Sequence, residues 1–147
     1  MAQAEASAAG ALSHGEDPKV AIVRKIYEAI ERREFEAIPS YLDRWVEWHF
    51  PDADGLWFAG THNDPRLFVE TVLRPLDEHF QQFEMKPGRM TRVGDRVVLA
   101  GRVRGRARGG GRLSAAYAQV WHFQGAKVCR VDEFHDRTTW LSALGRE

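Results

Sequence analysis

Cysteine is almost absent from this chain, since Cys129 is the single cysteine among 147 residues. One thiol excludes an internal disulfide and any zinc site built from several cysteines. Cys129 lies in the middle of a β-branched run, which favours a small packing residue over a reactive thiol. We therefore expect neither stability nor metal chemistry to come from cysteine.

Net charge is also absent, because 21 Lys and Arg residues balance 21 Asp and Glu residues. Such a chain lacks the electrostatic footprint of a protein that binds nucleic acid or an anionic membrane, so neither partner is expected. No apolar run approaches the ~20 residues of a membrane span. The first residues have neither the basic start nor the apolar centre of a secretory signal, which predicts a cytoplasmic protein.

The length predicts one domain with a core of its own. Residues 1–16 are rich in alanine and small polar side chains, and this composition predicts a disordered leader. The predicted domain covers residues 17–147.

Apolar residues at helical spacing predict three helices in the first half of the chain. Asp17-Pro18 and Asp64-Pro65 each supply an N-cap followed by a proline in the first turn. Pro75 should kink the third helix or divide it in two. The predicted helices cover about residues 18–33, 38–43 and 65–83, and a short strand pair is predicted at 44–50 and 56–59.

The hydrophobic period changes to two after residue 84, which predicts antiparallel strands up to a short closing helix at 137–144. The strands are expected at about 84–93, 96–108 and in a hairpin, Tyr117 to Asp136, that turns at Gln124-Gly125-Ala126. Helices followed by strands indicate an α+β fold. We predict a cone-shaped barrel of a strongly curved, mixed but mostly antiparallel sheet, packed on three N-terminal helices.

Alternation along this hairpin predicts which side chains share a face of the sheet. A face that mixes large aromatic rings with a carboxylate, an amide and an imidazole does not suit a simple apolar core. It predicts the wall of a pocket instead. The residues of this face are Tyr117, Gln119, Trp121 and Phe123 on the first strand and Cys129, Val131, Glu133 and His135 on the second.

Two arginines near the middle of the long strand, Arg102 and Arg104, leave two interpretations open. Either could be a pocket cation that holds a carboxylate or a developing oxyanion. Both could equally lie on a solvated outer face. Gly109-Gly110-Gly111 beyond them is followed by no helix, so it does not fit a phosphate-binding loop.

Several segments, in order, resemble the nuclear transport factor 2-like superfamily, and within it the SnoaL-like polyketide cyclases and the ketosteroid-isomerase-related proteins. The resemblance covers about residues 18–145. It implies a conical pocket for a small hydrophobic molecule, no metal or organic cofactor, and a homodimer. It does not imply one reaction, because members isomerise, cyclise, dehydrate, open epoxides or only bind. The segments are V-R-K-I-Y-E-A-I, V-E-W-H-F-P, D-R-V-V-L-A-G-R-V-R-G, A-Q-V-W-H-F-Q-G-A-K-V and E-F-H-D-R-T-T-W-L-S-A-L.

The resemblance carries roles to particular positions. In SnoaL-like cyclases and limonene epoxide hydrolases, a carboxylate near the end of the last strand does the acid/base work, and Glu133 in E-F-H-D stands there. Arg102 stands where the epoxide hydrolases have an arginine, but Arg104 replaces their second carboxylate. Tyr27 resembles the oxyanion-holding tyrosine of ketosteroid isomerase.

The same comparison is incomplete at two further positions. Phe50 stands where ketosteroid isomerase has its general base, and Gln119 stands where it has its protonated acid. His49 is a candidate substitute base, because an unperturbed histidine titrates near neutrality. The candidate catalytic residues are thus Glu133, His49, His135 and Arg102, and the candidate ligand-binding residues are Tyr27, Trp48, Trp57, Tyr117, Gln119, Trp121 and Val131.

These residues favour a cofactor-independent enzyme that cyclises or isomerises a small apolar carbonyl or polyketide-like compound. Epoxide hydrolysis or dehydration of a similar substrate is an alternative. A non-catalytic module that binds a small molecule or dimerises is another, and in that case Glu133 would be neutralised by an arginine and the histidines would be structural.

Overall fold

The computed structural model describes residues 16–146, so that the predicted leader lies outside the described residues except for Glu16. The described chain alternates early between helices and short strands and then forms long strands. Its elements are α1 Pro18–Glu31, a 3-10 helix Phe35–Tyr41, β1 Leu42–Phe50, β2 Gly60–His62, α2 Pro65–Phe68, a π-helical turn Val69–Leu73, α3 Pro75–His79, β3 Phe80–Pro87, β4 Thr91–Val93, β5 Arg96–Ala107, β6 Arg112–Gln124, β7 Lys127–His135 and α4 Arg137–Ala143.

The strands form one curved sheet in the order β2-β1-β7-β6-β5-β3, with β4 also paired to β5. β1 runs parallel to β7, and every other pairing is antiparallel. The predicted α+β class and mixed sheet are therefore confirmed. The sheet does not close into a barrel, because β2 and β3 are its two ends and do not pair with each other. Among the described residues the second predicted helix is a 3-10 helix, the third is divided into α2 and α3, and the predicted closing helix is α4, so that the α-helices number four.

Aspartate side chains cap the N-termini of α1, α2 and α4 at the positions that the sequence predicts. Asp17 accepts hydrogen bonds from two backbone N–H groups of the first turn of α1, and Asp64 does the same for α2. Asp136 caps α4 by accepting from the Thr139 N–H. These carboxylates satisfy N–H groups that have no partner inside the helix.

The third helix is predicted to extend to about residue 83, and this is wrong beyond His79. It divides before Pro75, as expected for a residue without an N–H, but Phe80 already begins β3. Phe80 and Phe83 pair with β5 opposite Ala107 and Gly105. Apolar residues at 76, 80 and 83 suit a helix face, yet pairing along the edge of the sheet overrides this local preference. The helical spacing of apolar residues also predicts an inward position for Leu67, and this is wrong, because Leu67 is 58% exposed.

The return strand after β1 lies later than predicted. Residues 56–59 form consecutive turns, in which the N–H groups of Leu56 and Ala59 donate to the carbonyls three residues earlier. These turns bury Leu56 and Phe58. β2 follows at Gly60–His62 and pairs antiparallel with β1, with Trp48 opposite His62.

The hairpin of β6 and β7 has the predicted turn and the predicted inner face, except at Cys129. Gln119 lies opposite Glu133 and Trp121 lies opposite Val131. A β-bulge shifts the register between His122 and Phe123, so that Val128 and Val131 are both fully buried while Cys129 is half-buried. The extra residue interrupts the alternation and leaves Val131, Glu133 and His135 on the concave face of the sheet.

The core lies between this concave face and the helices. Val23 and Ile26 of α1 are fully buried against it, while Trp45 and Phe134 are 74% and 45% exposed. Trp45 and Phe134 belong to positions of β1 and β7 that alternate with the buried ones, so they lie on the convex face. Within residues 16–146, none of the helices has the length and apolar character needed to span a bilayer.

Candidate functional site

A small cavity of about 40 Å³ lies between the concave face of the sheet and the helices. This volume holds only about two or three water molecules. Its wall is mostly aromatic and aliphatic. Seven residues predicted as site residues line it, namely Tyr27, Trp48, Trp57, Gln119, Trp121, Glu133 and His135.

Glu133 is the buried carboxyl group at the centre of this wall and is 5% exposed. Its Oε1 accepts a hydrogen bond of 3.0 Å from Trp48 Nε1 and one of 2.8 Å from Gln119 Nε2. β1 and β6, which flank β7, supply these two donors. Because an indole N–H and an amide N–H can only donate, Oε1 is fixed as an acceptor and the carboxyl group is held in one orientation.

His135 binds the other carboxyl oxygen. Its Nε2 lies 2.6 Å from Glu133 Oε2, and its side chain is only 4% exposed. The imidazole stacks on the Tyr117 ring, with centroids 5.6 Å apart and planes 20° apart. Stacking and the short hydrogen bond fix the ring, so that one proton can move between a buried imidazole and a buried carboxyl group.

Gln119 extends this polar group toward α1. Its Oε1 accepts from the Tyr27 hydroxyl at 2.5 Å and from Trp121 Nε1 at 2.9 Å. The indole donor fixes which end of the amide faces Tyr27. Since the Tyr27 hydrogen is used on Gln119, the Tyr117 hydroxyl donates to Tyr27 across their 2.7 Å contact.

Both tyrosines of this chain of hydrogen bonds remain protonated. Burial raises the pKa of Tyr27 far above its usual value, and the neighbouring Tyr117 hydroxyl raises it further. Burial likewise raises the pKa of Tyr117. A low-dielectric site disfavours a phenolate. The two hydroxyls therefore act as hydrogen-bond donors and acceptors rather than as bases.

Stacked aromatic rings surround the polar group. Trp48 stacks on Phe68 with centroids 4.1 Å apart, and Phe50 lies parallel to Phe68 at 6.4 Å. Trp57 and Phe58 meet edge to face at 5.1 Å. Flat walls of this kind favour a flat apolar ligand over a small polar one.

A larger groove of about 530 Å³ lies outside the cavity, between α1 and β3. Tyr27, Ile30, Phe83 and Met85 line both spaces. The groove and the cavity therefore share these four side chains. A drug-sized ligand needs a pocket of ~300 Å³ or more, so side chains that line the cavity must move before such a ligand reaches Glu133.

Four predicted site residues do not line the cavity. His49 lies on the convex face, where its Nε2 contacts Glu47 Oε1 at 2.9 Å and its Nδ1 contacts Thr61 Oγ1 at 2.8 Å. Arg102 is exposed and donates to Ser114 Oγ at 3.2 Å. Tyr117 and Val131 are buried behind the lining. The structure thus gives His49 and Arg102 no contact with Glu133, and the interpretation of Arg102 as an outer-face residue fits its position.

Several lining residues are not among the predicted site residues, above all Trp140 of α4 and Phe58 of the turns before β2. The Trp140 ring lies edge to face against Phe58 at 4.9 Å and against His135 at 5.3 Å. Helical spacing of the apolar residues 140, 143 and 144 was the available signal, since it predicts that α4 buries one face.

Comparison with known families and structures agrees with this architecture. The SnoaL-like domain family matches residues 23–131. A search of curated proteins gives no match. The match confirms the SnoaL-like resemblance predicted from the sequence.

Solved structures show the same fold at low sequence identity. An NTF2-like protein of unknown function from Burkholderia pseudomallei K96243 has a TM-score of 0.80 and 22% identity, over 88% of this chain and 98% of its own. TerC, co-crystallised with polyporic acid, has a TM-score of 0.79 and 21% identity, over 88% and 99%. A protein with a ketosteroid isomerase-like fold from Catenulispora acidiphila DSM 44928, in complex with trimethylamine, has a TM-score of 0.72 and 13% identity, over 86% and 93%. At these identities the similarity carries the fold alone.

Proposed function

Since the chain belongs to the SnoaL-like domain family, we propose that it is a cofactor-independent enzyme that moves protons on a small apolar carbonyl compound. The reaction class is cyclisation or isomerisation, and in both a proton first leaves the carbon next to the carbonyl group. The proton returns to another carbon in an isomerisation and to the new alkoxide oxygen in a cyclisation. The observation that carries this proposal is the buried pair of Glu133 and His135 in the wall of an apolar cavity. A cytoplasmic location is part of the same proposal.

Each member of the pair has a distinct role in this mechanism. His135 takes the proton from the carbon next to the carbonyl group, because its Nε2 is already bound to Glu133 and its second nitrogen is not. Glu133 holds the imidazole in place and stabilises the positive charge that develops on it. The same imidazole then returns the proton, to another carbon of the enolate in an isomerisation or to the alkoxide oxygen formed by ring closure in a cyclisation, so that no net charge is gained or lost.

The surrounding residues support proton transfer by holding the pair rigid. Trp48 and Gln119 occupy Glu133 Oε1, which directs Oε2 toward His135. A preorganised group in a water-poor site needs little rearrangement during the reaction. The cavity wall is otherwise apolar, which favours an uncharged substrate.

The apolar wall of the cavity equally supports a second candidate, a non-catalytic module that binds a small hydrophobic molecule. Epoxide hydrolysis has less support, because Arg102 and Arg104 lie on exposed positions of β5 rather than in the lining. The two remaining candidates differ in one respect that can be measured, since only the enzyme transfers protons.

We also propose a homodimer that covers the convex face of the sheet. Trp45 and Phe134 are large apolar side chains that are 74% and 45% exposed on that face. Their burial against a second copy would remove apolar surface from water. Light scattering of the wild type and of a Trp45→Lys, Phe134→Lys variant tests this, and a wild type that is monomeric at micromolar concentration contradicts it.

Hydrogen exchange of 2-tetralone in D₂O, followed by NMR, tests the catalytic proposal without knowledge of the natural substrate. This flat cyclic ketone has exchangeable protons next to its carbonyl group. The wild type should accelerate their exchange over buffer, and Glu133→Gln should reduce the acceleration by about 10² to 10⁴. Glu47→Gln, the same substitution at an exposed carboxylate of β1, is the matched control and should retain the wild-type rate.

Two outcomes would contradict the catalytic proposal. A folded Glu133→Gln variant with the wild-type exchange rate would remove Glu133 from the mechanism. A wild type that binds 2-tetralone but exchanges its protons no faster than buffer would leave the binding module as the function.

A further inference from the structure

Two buried nitrogen atoms at the cavity are left without a protein partner in the part of the chain that the structure describes. They are Nδ1 of His135 and Nε1 of Trp140. The His135 side chain is 4% exposed and Trp140 is 2% exposed, so bulk water does not satisfy them. Native proteins leave very few buried polar groups unpaired, and each such group calls for an explanation.

The two nitrogens belong to neighbouring rings that both line the cavity. The ring centroids are 5.3 Å apart and the planes cross at 79°. His135 is the last residue of β7, and Trp140 lies within α4, so the rings approach each other from two regular elements. The Trp140 ring is held by edge-to-face contacts with Phe58 at 4.9 Å and Phe80 at 5.7 Å.

We propose that Nδ1 of His135 and Nε1 of Trp140 together form the binding subsite for one oxygen atom of the ligand. The ligand is a flat, otherwise apolar ring compound that carries a phenolic or enolic hydroxyl group. This inference rests on the proposed function, because it names the substrate class for the same cavity.

The donors and acceptors of the two nitrogens determine what oxygen they can hold. The indole N–H of Trp140 can only donate. When His135 donates its Nε2 proton to Glu133, its Nδ1 can only accept. The bound oxygen must then accept from Trp140 and donate to His135, which a hydroxyl group does and an ether or a hydrocarbon does not.

The same subsite also fits the carbonyl form of such a compound. If the proton lies on Nδ1, a carbonyl oxygen accepts from both rings. Transfer of this proton from Nδ1 to the oxygen converts a bound enolate into an enol, and the reverse transfer restores the enolate. One oxygen position thus serves both forms of an enolisable carbonyl compound, with the proton held on either His135 or the ligand. Because Nδ1 cannot contact this oxygen and a carbon at once, this complex precedes and follows the proton transfer at carbon, during which the oxygen stays on the Trp140 N–H and the neighbouring carbon lies at Nδ1.

The remaining surroundings determine the shape of the ligand. Phe50 lies nearly parallel to the His135 ring at 6.3 Å, and Tyr117 stacks on it at 5.6 Å. Apolar side chains dominate the rest of the lining. A ligand that follows this wall has one oxygen at the Trp140 end and an apolar ring system elsewhere.

Binding of 2-naphthol and 2-methylnaphthalene to the full chain tests this inference directly. The two probes have the same ring system and differ in a hydroxyl group against a methyl group. In ¹⁵N-labelled wild type, 2-naphthol should move the indole N–H signal of Trp140, and 2-methylnaphthalene should not. A Trp140→Phe variant identifies that signal among the five tryptophans.

The ratio of the two dissociation constants, compared between the wild type and a variant, gives a second readout. The hydrophobic difference between the probes is the same for both proteins and therefore cancels in this comparison. Trp140→Phe removes one donor and keeps an aromatic ring, so it should reduce the preference for 2-naphthol by about tenfold, the usual effect of one hydrogen bond. Trp45→Phe, the same substitution at a 74% exposed position, should leave the ratio unchanged.

An unchanged ratio in a folded Trp140→Phe variant would overturn the subsite, and so would a Trp140 signal that 2-naphthol does not move or a wild type that binds neither probe. The signal is measured on the wild type, so the inference is tested even if the variant does not fold. A shifted signal without proton exchange on 2-tetralone would retain the subsite and reject the proposed catalysis. Proton exchange on 2-tetralone without a shift of the Trp140 signal would retain the proposed catalysis and reject the subsite.

Discussion

Replacement of Gln119 by leucine should destabilise the protein strongly, because this amide joins the polar groups on both sides of the cavity. Gln119 is 3% exposed and takes part in three side-chain hydrogen bonds. Leucine has a similar size but can neither donate nor accept. All three bonds are therefore lost while the packing volume is nearly kept.

The three lost bonds do not cost the same free energy. Trp121 Nε1 loses its acceptor in a side chain that is 1% exposed, so its N–H is left unpaired. The Tyr27 hydroxyl retains Tyr117, and Glu133 Oε1 retains Trp48. One orphaned donor costs about 1–3 kcal/mol and each weakened contact about 0.5–1.5 kcal/mol. We expect Gln119→Leu to lower the free energy of unfolding by about 2–6 kcal/mol.

Urea denaturation of Gln119→Leu and of the wild type measures the difference in the free energy of unfolding. The midpoint should fall while the slope of the free energy against urea stays constant. Gln124→Leu, the same substitution at the exposed end of β6, is the matched control and should change stability by less than about 0.5 kcal/mol. A loss of less than about 1 kcal/mol in Gln119→Leu would refute the view that this amide is held in a fully paired network.

Three further substitutions test other parts of the structure. Gly101→Ala should destabilise the protein by about 2 kcal/mol or more in urea denaturation, because its Cβ would clash with the Lys86 backbone carbonyl oxygen and lie 2.9 Å from the Tyr117 ring. Gly109→Ala, at an open hairpin tip, should not. Burial raises the pKa of Asp132, but hydrogen bonds from Arg130 and a histidine outweigh it and hold the pKa below the usual value. Asp132→Asn should therefore be less stable than the wild type near neutral pH, and the difference should shrink as the pH falls through the usual pKa range of an aspartate and below it. Because burial raises the pKa of Tyr27, Tyr27→Phe and the wild type should show the same tyrosinate absorbance up to about pH 11.

Features that depend on neighbours in sequence could be predicted from the residues alone. Asp17 and Asp64 cap helices by bonds to backbone groups two or three residues away. The inner face of the last hairpin follows from the period of two, which places Gln119 opposite Glu133 once the turn at Gly125 is known. These interactions need no knowledge of the rest of the fold.

Features that depend on distant elements could not be predicted in this way. Phe80 fits a helix and a strand equally, and its pairing with β5 decides between them. His49 lies on a strand whose register with β7 is irregular, so its face could not be read from alternation. Trp140 meets His135 only because α4 folds back over the cavity. Gln119 is predicted on the same face as Glu133, but Trp48 only as a ligand-binding residue, and their joint hold on one oxygen appears only in three dimensions.

The most direct test of the central claim is a double-mutant cycle on the proton exchange of 2-tetralone. Two groups that act as one unit lose about the same activity whether one or both are removed. We predict that Glu133→Gln and His135→Phe each reduce the exchange rate by about 10² or more and that the double variant loses no more than the larger single loss. Wild-type rates in both single variants, or losses that multiply in the double variant, would contradict the claim that the buried pair transfers the proton as a unit.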